Sequence, residues 1–308
     1  MSGTGGAGFR NAILIAGPTA SGKSALAVEI AERVGGTVVN ADSMQVYSIL
    51  DVLTARPDRA DLARAPHALY GHVHPSTPYS TGGWMRDVIA LRQEAPPASG
   101  PMVFVGGTGL YFRALTEGIS RMPDIPADIR QRLRESLAQE GPGRMHEALS
   151  RVDAGAASVL RPTDGQRVVR ALEVMEASGR SILEWQADKG EALIDAASAR
   201  FIVLEPDRAA LVARIDQRLD RMIAGGAMAE IAALAELALD PALPAMRAIG
   251  VPDLLDALSE KISVPEAVAR AKIATRQYAK RQSTWFRHQL GPQWKRFSNS
   301  NNALSGLD

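Results

Sequence analysis

The chain has no cysteine among its 308 residues. That excludes disulfide cross-links, a thiol nucleophile and any zinc centre built on thiolates. Its five histidines are scattered without metal-ligand spacing, so a metal would have to be held by oxygen. No run of about 18 apolar residues is present, which excludes a membrane-spanning helix. The glycine-rich start from Met1 to Gly8 lacks the basic region and apolar stretch of a secretory signal. The expectation is a cytoplasmic protein without membrane attachment.

Acidic residues are missing locally. From Ala267 to Leu307 there is no Asp or Glu, while Arg270, Lys272, Arg276, Lys280, Arg281, Arg287, Lys295 and Arg296 all fall there. The net charge is only +1, so a strongly basic C-terminal end is set against a slightly acidic body, and a polyanion partner is implied.

An apolar content of 46% supplies a large core. Asn11 to Gly17, "TVVNAD" ending at Asp42, "PMVFVGGTG" and "RFIVLEP" are short apolar strands separated by helical patterns, the signature of a parallel sheet covered on both faces. The expected fold is α/β, a P-loop NTPase-like parallel sheet core flanked by helices, with an all-helical insertion domain. The core occupies 1–116 and 199–308. Residues 117–198 form the insertion, with helices near Ala127 to Glu140, Gly143 to Asp153 and Asp164 to Ser178. Beyond Phe297 the polar sequence suggests a disordered tail.

Gly17, Pro18, Thr19, Ala20, Ser21, Gly22, Lys23 and Ser24 spell G-x-x-x-x-G-K-S between a strand and a helix, the setting in which this loop binds phosphates. Its backbone N–H groups form a concavity, Lys23 adds a point charge, and the Ser24 hydroxyl can ligate a Mg²⁺ that bridges phosphates. Asp42 and Thr108 lie at the ends of the second and third strands, on the sheet edge where ligands bind in open α/β folds. Asp42 could serve a metal, be a solvated strand-end carboxylate, or act as a general base. Its neighbours Ser43, Met44, Gln45 and Tyr47 suit a nucleobase edge. The glycines around Thr108 have a purely structural alternative as a tight turn into a helix.

Arg214, Arg218 and Arg221 lie on one helical face, either as an anion clamp or paired with Asp216 and Asp220. In the last helix Lys272, Arg276, Lys280 and Arg287 form a stripe suited to a phosphate backbone. Tyr278, Trp285 and Phe286 lie roughly opposite, as core anchors.

"GPTASGKS", "NADSMQVY", "DVLTARP", "VGGTGLYF", "QRVVRALEV" and "KRQSTWFR", in this order, resemble the bacterial tRNA dimethylallyltransferase (tRNA isopentenyltransferase) family over Ile13 to Trp294. The resemblance implies transfer of the dimethylallyl group of dimethylallyl diphosphate to N6 of adenosine 37, beside the anticodon of tRNA, with release of diphosphate. It implies that the loop from Gly17 to Ser24, with Mg²⁺ at Ser24 and with Arg218, holds diphosphate. Asp42 would take the proton and Thr108 would serve the reacting centre.

It further implies tRNA contacts at Asp42, Ser43, Met44, Gln45, Thr108, Arg130, Gln166, Arg167, Val168, Val169, Arg170, Lys280, Arg281, Gln282 and Arg287, with a further stretch at Arg247 to Pro252. A monomer is expected. The chain departs from the family pattern at Leu53, which replaces a Gly, and at Val251-Pro252. The competing activities are an adenylate prenyltransferase and a P-loop small-molecule kinase. The kinase would want an Arg-rich lid that the insertion lacks.

Overall fold

A computed structural model of the chain describes residues 8–94 and 100–306. The glycine-rich start before Gly8 and the last two residues of the expected tail lie outside them. Six strands form one sheet: β1 (Ile13–Ala16), β2 (Thr37–Asn40), β3 (His67–Ala68), β4 (Met102–Gly106), β5 (Arg200–Leu204) and β6 (Lys295–Phe297). Their order is β3-β2-β4-β1-β5-β6, with every pairing parallel. β1 lies between β4 and β5, with Ile15 opposite both Val105 and Ile202. Strands covered on both faces need apolar side chains at every position, which is why β1 and β4 carry uninterrupted apolar runs.

Helices α1 (Lys23–Val34), α2 (Arg59–Arg64), α3 (Thr81–Glu94) and α4 (Gly109–Glu117) belong to the first half of the sheet unit. The insertion holds α5 to α8, described below, and after it come α9 (Arg208–Ala224), α10 (Ala227–Glu236), a 3₁₀ turn at Ala245–Arg247, α11 (Val251–Leu258), α12 (Val264–Gln289) and α13 (Ser300–Ser305). The starts are chemically specified. Asp207 accepts from the N–H groups of Ala209 and Ala210 to open α9, and Ser263 accepts from Glu266 N, with Pro265 in the first turn, to open α12.

On one face of the sheet Ile13, Ile15, Val103, Val105 and Ile202 pack against Leu26 and Ile30 of α1 and against Ala303 and Leu304 of α13. Residues 298–306 are therefore ordered, contrary to the expected tail. Asn299 caps α13 by accepting from Asn302 N, and burial of Ala303 and Leu304 holds it down. On the other face the few aromatics are concentrated: Trp84 stacks on Tyr111 at 4.1 Å, and Trp294 meets Phe112 and Phe201 at 5.4 and 5.2 Å.

The chain divides into two compact units, Met1–Thr116 with Leu193–Asp308, and Glu117–Ala192. Residues 193–198, counted with the insertion by sequence, bond to the sheet unit through Phe9 N to Leu193 O at 2.6 Å and Asp195 N to Phe9 O at 3.1 Å. The helical unit holds α5 (Ala127–Val152), broken at Gly141 (φ 79, ψ 169) before Pro142. It also holds α6 (Ala154–Val159), α7 (Gly165–Ser178) and α8 (Ile182–Ala187). Leu133, Met145, Leu149, Val168, Val169 and Leu172 form its own core.

Candidate active site

The loop between β1 and α1 is shaped by close approach. A Cβ on Gly17 would lie 2.7 Å from Ser21 Oγ and 3.3 Å from Leu204 Cβ. Gly22 adopts φ 91 and Ala20 φ 61. Gly22 caps α1 without a side-chain bond, which leaves the first-turn N–H groups of the helix unclaimed by a cap. The left-handed Ala20 costs about 1 kcal/mol, the kind of strain that gathers at ligand-binding loops. Lys23 is 8% exposed and its Nζ donates to Pro18 O at 3.2 Å. Burial lowers its pKa from 10.5 to about 8; Asp42 opposes this and Arg218 adds to it.

Asp42 is held from beneath. Asn40, fully buried at the end of β2, accepts from Asp42 N at 2.8 Å and donates to Asp42 O and Leu69 O, each at 3.0 Å. Asp42 Oδ1 accepts from Met44 N at 3.0 Å. Ser43 N donates to Thr108 Oγ1 at 2.9 Å, and that hydroxyl lies 3.2 Å from Ser43 Oγ. Thr108 therefore fixes the segment that carries Asp42. Asn40 was missed by sequence reasoning; its signal was a polar residue closing an apolar strand.

The glycines beside Thr108 answer to close neighbours. A Cβ on Gly106 would fall 2.0 Å from Ala41 O, one on Gly107 2.1 Å from Gln282 Nε2, and one on Gly109 2.2 Å from Trp285 Cε3. Two of the three make room for α12.

A cavity of about 340 Å³ joins these groups, lined by Lys23, Ser24 and Asp42 on the strand-end side. Opposite, α9 contributes Ile215, Arg218, Leu219 and Met222, whose i, i+3, i+4, i+7 spacing puts one guanidinium inside an apolar wall. Leu53 continues that apolar lining. Arg218 donates to Thr54 O at 3.4 Å. Burial pulls its pKa down, and Asp42 opposes that. Of the three arginines considered, only Arg218 lines the cavity; Arg214 and Arg221 bond along their own helix to Ala210 O and Gln217 O.

Asp216 and Asp220 pair with α12, not with those arginines. Arg276 meets Asp216 through two bonds and Lys272 meets Asp220 at 2.6 Å. Half of the expected phosphate-contacting stripe is thereby used inside the protein, because α9 presents its acids to it. Lys280, Arg281 and Arg287 are exposed, and Lys280 and Arg287 have no ion pair among the described residues. Phe286 is a core anchor, 1% exposed. Tyr278 instead lines the cavity, with Arg281 5.7 Å over its ring. Burial pushes the Tyr278 phenol up.

Several residues expected against RNA are committed elsewhere. Gln282 is buried and both ends of its amide are bonded: Thr19 N donates to Oε1, and Nε2 donates to Gly107 O, each at 2.9 Å. Gln45 Nε2 donates to Thr54 O and Ala55 O, although Ser43, Met44 and Gln45 do line the cavity. In the helical unit Val168 and Val169 are core residues, Gln166 and Arg167 are exposed, and Arg130 is half-buried. Arg170 pairs with Glu173 at 3.1 Å.

Arg247 lines the cavity. Pro252 stands in the first turn of α11, where a missing N–H costs nothing. Sequence reasoning also missed Glu230. Its carboxylate accepts from the N–H groups of Asp51, Val52 and Leu53 at 2.6–3.0 Å, which fixes the turn that offers Thr54 O to Arg218.

Comparison with known proteins places the chain in a family. The family model described as IPP transferase matches residues 45–289, and one described as Isopentenyl transferase matches residues 10–68. The tRNA dimethylallyltransferase of Mesorhizobium japonicum is 66% identical over 93% of this chain and 89% of its own length. That of a Chelativorans species is 57% identical over 93% and 98%. Among solved structures, the tRNA isopentenylpyrophosphate transferase of Bacillus halodurans gives a TM-score of 0.66 at 29% identity, covering 96% of this chain and 93% of that one. A eukaryotic dimethylallyltransferase acting on tRNA gives 0.78 at 26%, covering 94% and 74%. A strand-end carboxylate facing a phosphate loop across an apolar-walled cavity, in a chain this close to those relatives over nearly its whole length, makes it a member of the IPP transferase family, to which the tRNA dimethylallyltransferases belong.

Proposed function

We propose that the chain transfers the dimethylallyl group of dimethylallyl diphosphate to N6 of adenosine 37 of tRNA. The observation that carries this reading is a single cavity combining two cations, the buried Lys23 and the half-buried Arg218, with the Asp42 carboxylate and the apolar side chains of Leu53, Leu219 and Met222. A kinase site would need no apolar wall beside its phosphates. A prenyl diphosphate presents both halves, an anion for the cations and a five-carbon tail for the leucines and methionine.

In the reaction the bond between C1 of the dimethylallyl group and the diphosphate oxygen breaks as C1 bonds to N6, and one N6 proton passes to Asp42. An adenine amine is a weak nucleophile because its lone pair is delocalised, so a positioned base lowers the barrier. Lys23, Arg218 and the first-turn N–H groups of α1 stabilise charge on the departing diphosphate. Thr108 holds Ser43, and with it the Asp42 segment, in place. The Ser24 hydroxyl lines the same cavity as Asp42, an oxygen-only donor set suited to Mg²⁺ once diphosphate supplies further oxygens. When bound, Mg²⁺ would neutralise charge on the leaving group.

The exposed Lys280, Arg281 and Arg287 favour a polynucleotide acceptor over free AMP. Gln166 and Arg167 of the helical unit extend that RNA-binding role. The target adenine must leave its stack to reach a cavity of this kind. A cytoplasmic monomer is the working state, since tRNA is the acceptor and every proposed catalytic group lies on one chain.

The test is to incubate the protein with dimethylallyl diphosphate and, in turn, unmodified tRNA, AMP and ATP, and to follow which acceptor gains a C5 unit. Prenylation of tRNA is expected. Prenylation of AMP but not tRNA would overturn the acceptor, and phosphoryl transfer from ATP would overturn the reading altogether.

A further inference from the structure

Among the described residues Gln282 is the one side chain seen to bond directly to both the phosphate loop and the turn after β4. Its Oε1 accepts from Thr19 N and its Nε2 donates to Gly107 O, both at 2.9 Å. With 5% exposure the amide works in a low-dielectric setting, where an unmatched polar group is costly and a matched one fixes geometry. The turn is built to admit it. A Cβ on Gly107 would stand 2.1 Å from Nε2, and the same point lies 3.3 Å from Asp42 Oδ2, so the amide is inserted beside the carboxylate. α12 itself is held to α9 by Arg276 with Asp216 and Lys272 with Asp220. Gln282 is therefore the tip of a braced strut that sets the distance between Thr19 in the diphosphate loop and Gly107, next to Thr108.

We infer that Gln282 is a positioning residue for prenyl transfer: its amide holds the donor's diphosphate loop and the Asp42–Thr108 corner in the relation that in-line attack requires. The inference rests on the site reading given above. The chemistry demands the amide specifically. A carboxylate of equal size can accept from Thr19 N but turns a second acceptor towards Gly107 O, and an Asn keeps both groups but is one methylene too short to reach both partners.

The test uses the full chain with Gln282→Glu, Gln282→Asn and Gly107→Ala, each measured for kcat, for KM with dimethylallyl diphosphate and with tRNA, for pyrophosphate affinity by calorimetry, and for folded fraction. Displacement of reacting groups by an ångström costs on the order of 10²-fold in rate. The expected result is a kcat loss of about 10- to 100-fold in all three, with both KM values and pyrophosphate affinity within about threefold and folded fractions unchanged. Combining Gly107→Ala with Gln282→Asn should lose little more than either alone, since both displace one amide.

The inference is overturned if kcat in Gln282→Glu is unchanged, if the loss appears in KM alone, or if it follows the loss of folded protein. A parallel Asp42→Asn variant separates the two levels. Full activity there removes the site reading itself, whereas an inactive Asp42→Asn beside an active Gln282→Glu removes only this inference.

Discussion

Replacing Lys23 by methionine should stabilise the unliganded protein at neutral pH while destroying its affinity for diphosphate. Lys23 is nearly fully buried, and its pKa falls from 10.5 to about 8, with burial as the largest cause. At about 1.4 kcal/mol per pH unit, those two and a half units correspond to about 3 kcal/mol spent on keeping the ammonium charged inside the fold. Methionine is similar in length and carries no charge. It forfeits the bond to Pro18 O, worth about 1 kcal/mol, which leaves a net gain of about 2 kcal/mol.

The sign with pH follows from linkage. The folded pKa lies below the unfolded one, so between pH 8 and 10.5 the unfolded chain binds more protons, and the stability of the native protein climbs as pH rises through that window. The penalty is fully present below pH 8 and gone above 10.5. Urea unfolding of both proteins at pH 7 and pH 10.5 should therefore show a gap that closes at the higher pH. Pyrophosphate at 100 times its Kd should then add about 2.7 kcal/mol to the native protein and nothing to the variant. A variant less stable than the native protein at pH 7, or a gap of the same size at both pH values, would refute the reasoning.

Asp42→Asn should slow prenyl transfer by about 10²-fold or more in single-turnover assays. Pyrophosphate binding should be retained, because a like charge near the anion has been removed. Lys280→Ala and Arg287→Ala should each weaken tRNA binding and lower the slope of log K against log salt by about 0.7 to 1, read from titrations at several salt concentrations. Leu304→Ala should cost about 2 kcal/mol in urea unfolding, since α13 is part of the core and not a loose end.

The parts of the fold that could be read from sequence are those whose cause is local. G-x-x-x-x-G-K-S fixes its own loop, and uninterrupted runs such as Val103 to Val105 admit only a covered strand. β3 and β6 could not be read this way, because two or three residues at a sheet edge carry too little periodicity and Lys295–Arg296–Phe297 is two-thirds basic. α13 was concealed by polar composition. Its only signals are the Asn299 cap and the Ala303–Leu304 pair, whose value depends on a partner helix far away in sequence.

In the site, Asp42, Thr108 and Lys23 were legible as residue types at the ends of elements. The choice among Arg214, Arg218 and Arg221 depended on which way α9 turns. The pairing of Arg276 and Lys272 with Asp216 and Asp220 depended on the packing of two helices, as did the commitment of Gln282 to the protein interior. A run of bases without acids proved compatible with acids brought in from another helix.

The bond between Thr19 and Gln282 joins residues 263 positions apart. At 5–20 residues per second the ribosome takes about 15 to 50 seconds to travel from one to the other. During that interval the phosphate loop exists without its outer support, and α1 without the cover of α13, which follows α12 in the chain. A nascent chain thus carries the most recognisable motif of the protein long before it carries a working site. Synthesis order itself delays the grip on diphosphate until α12 has been made.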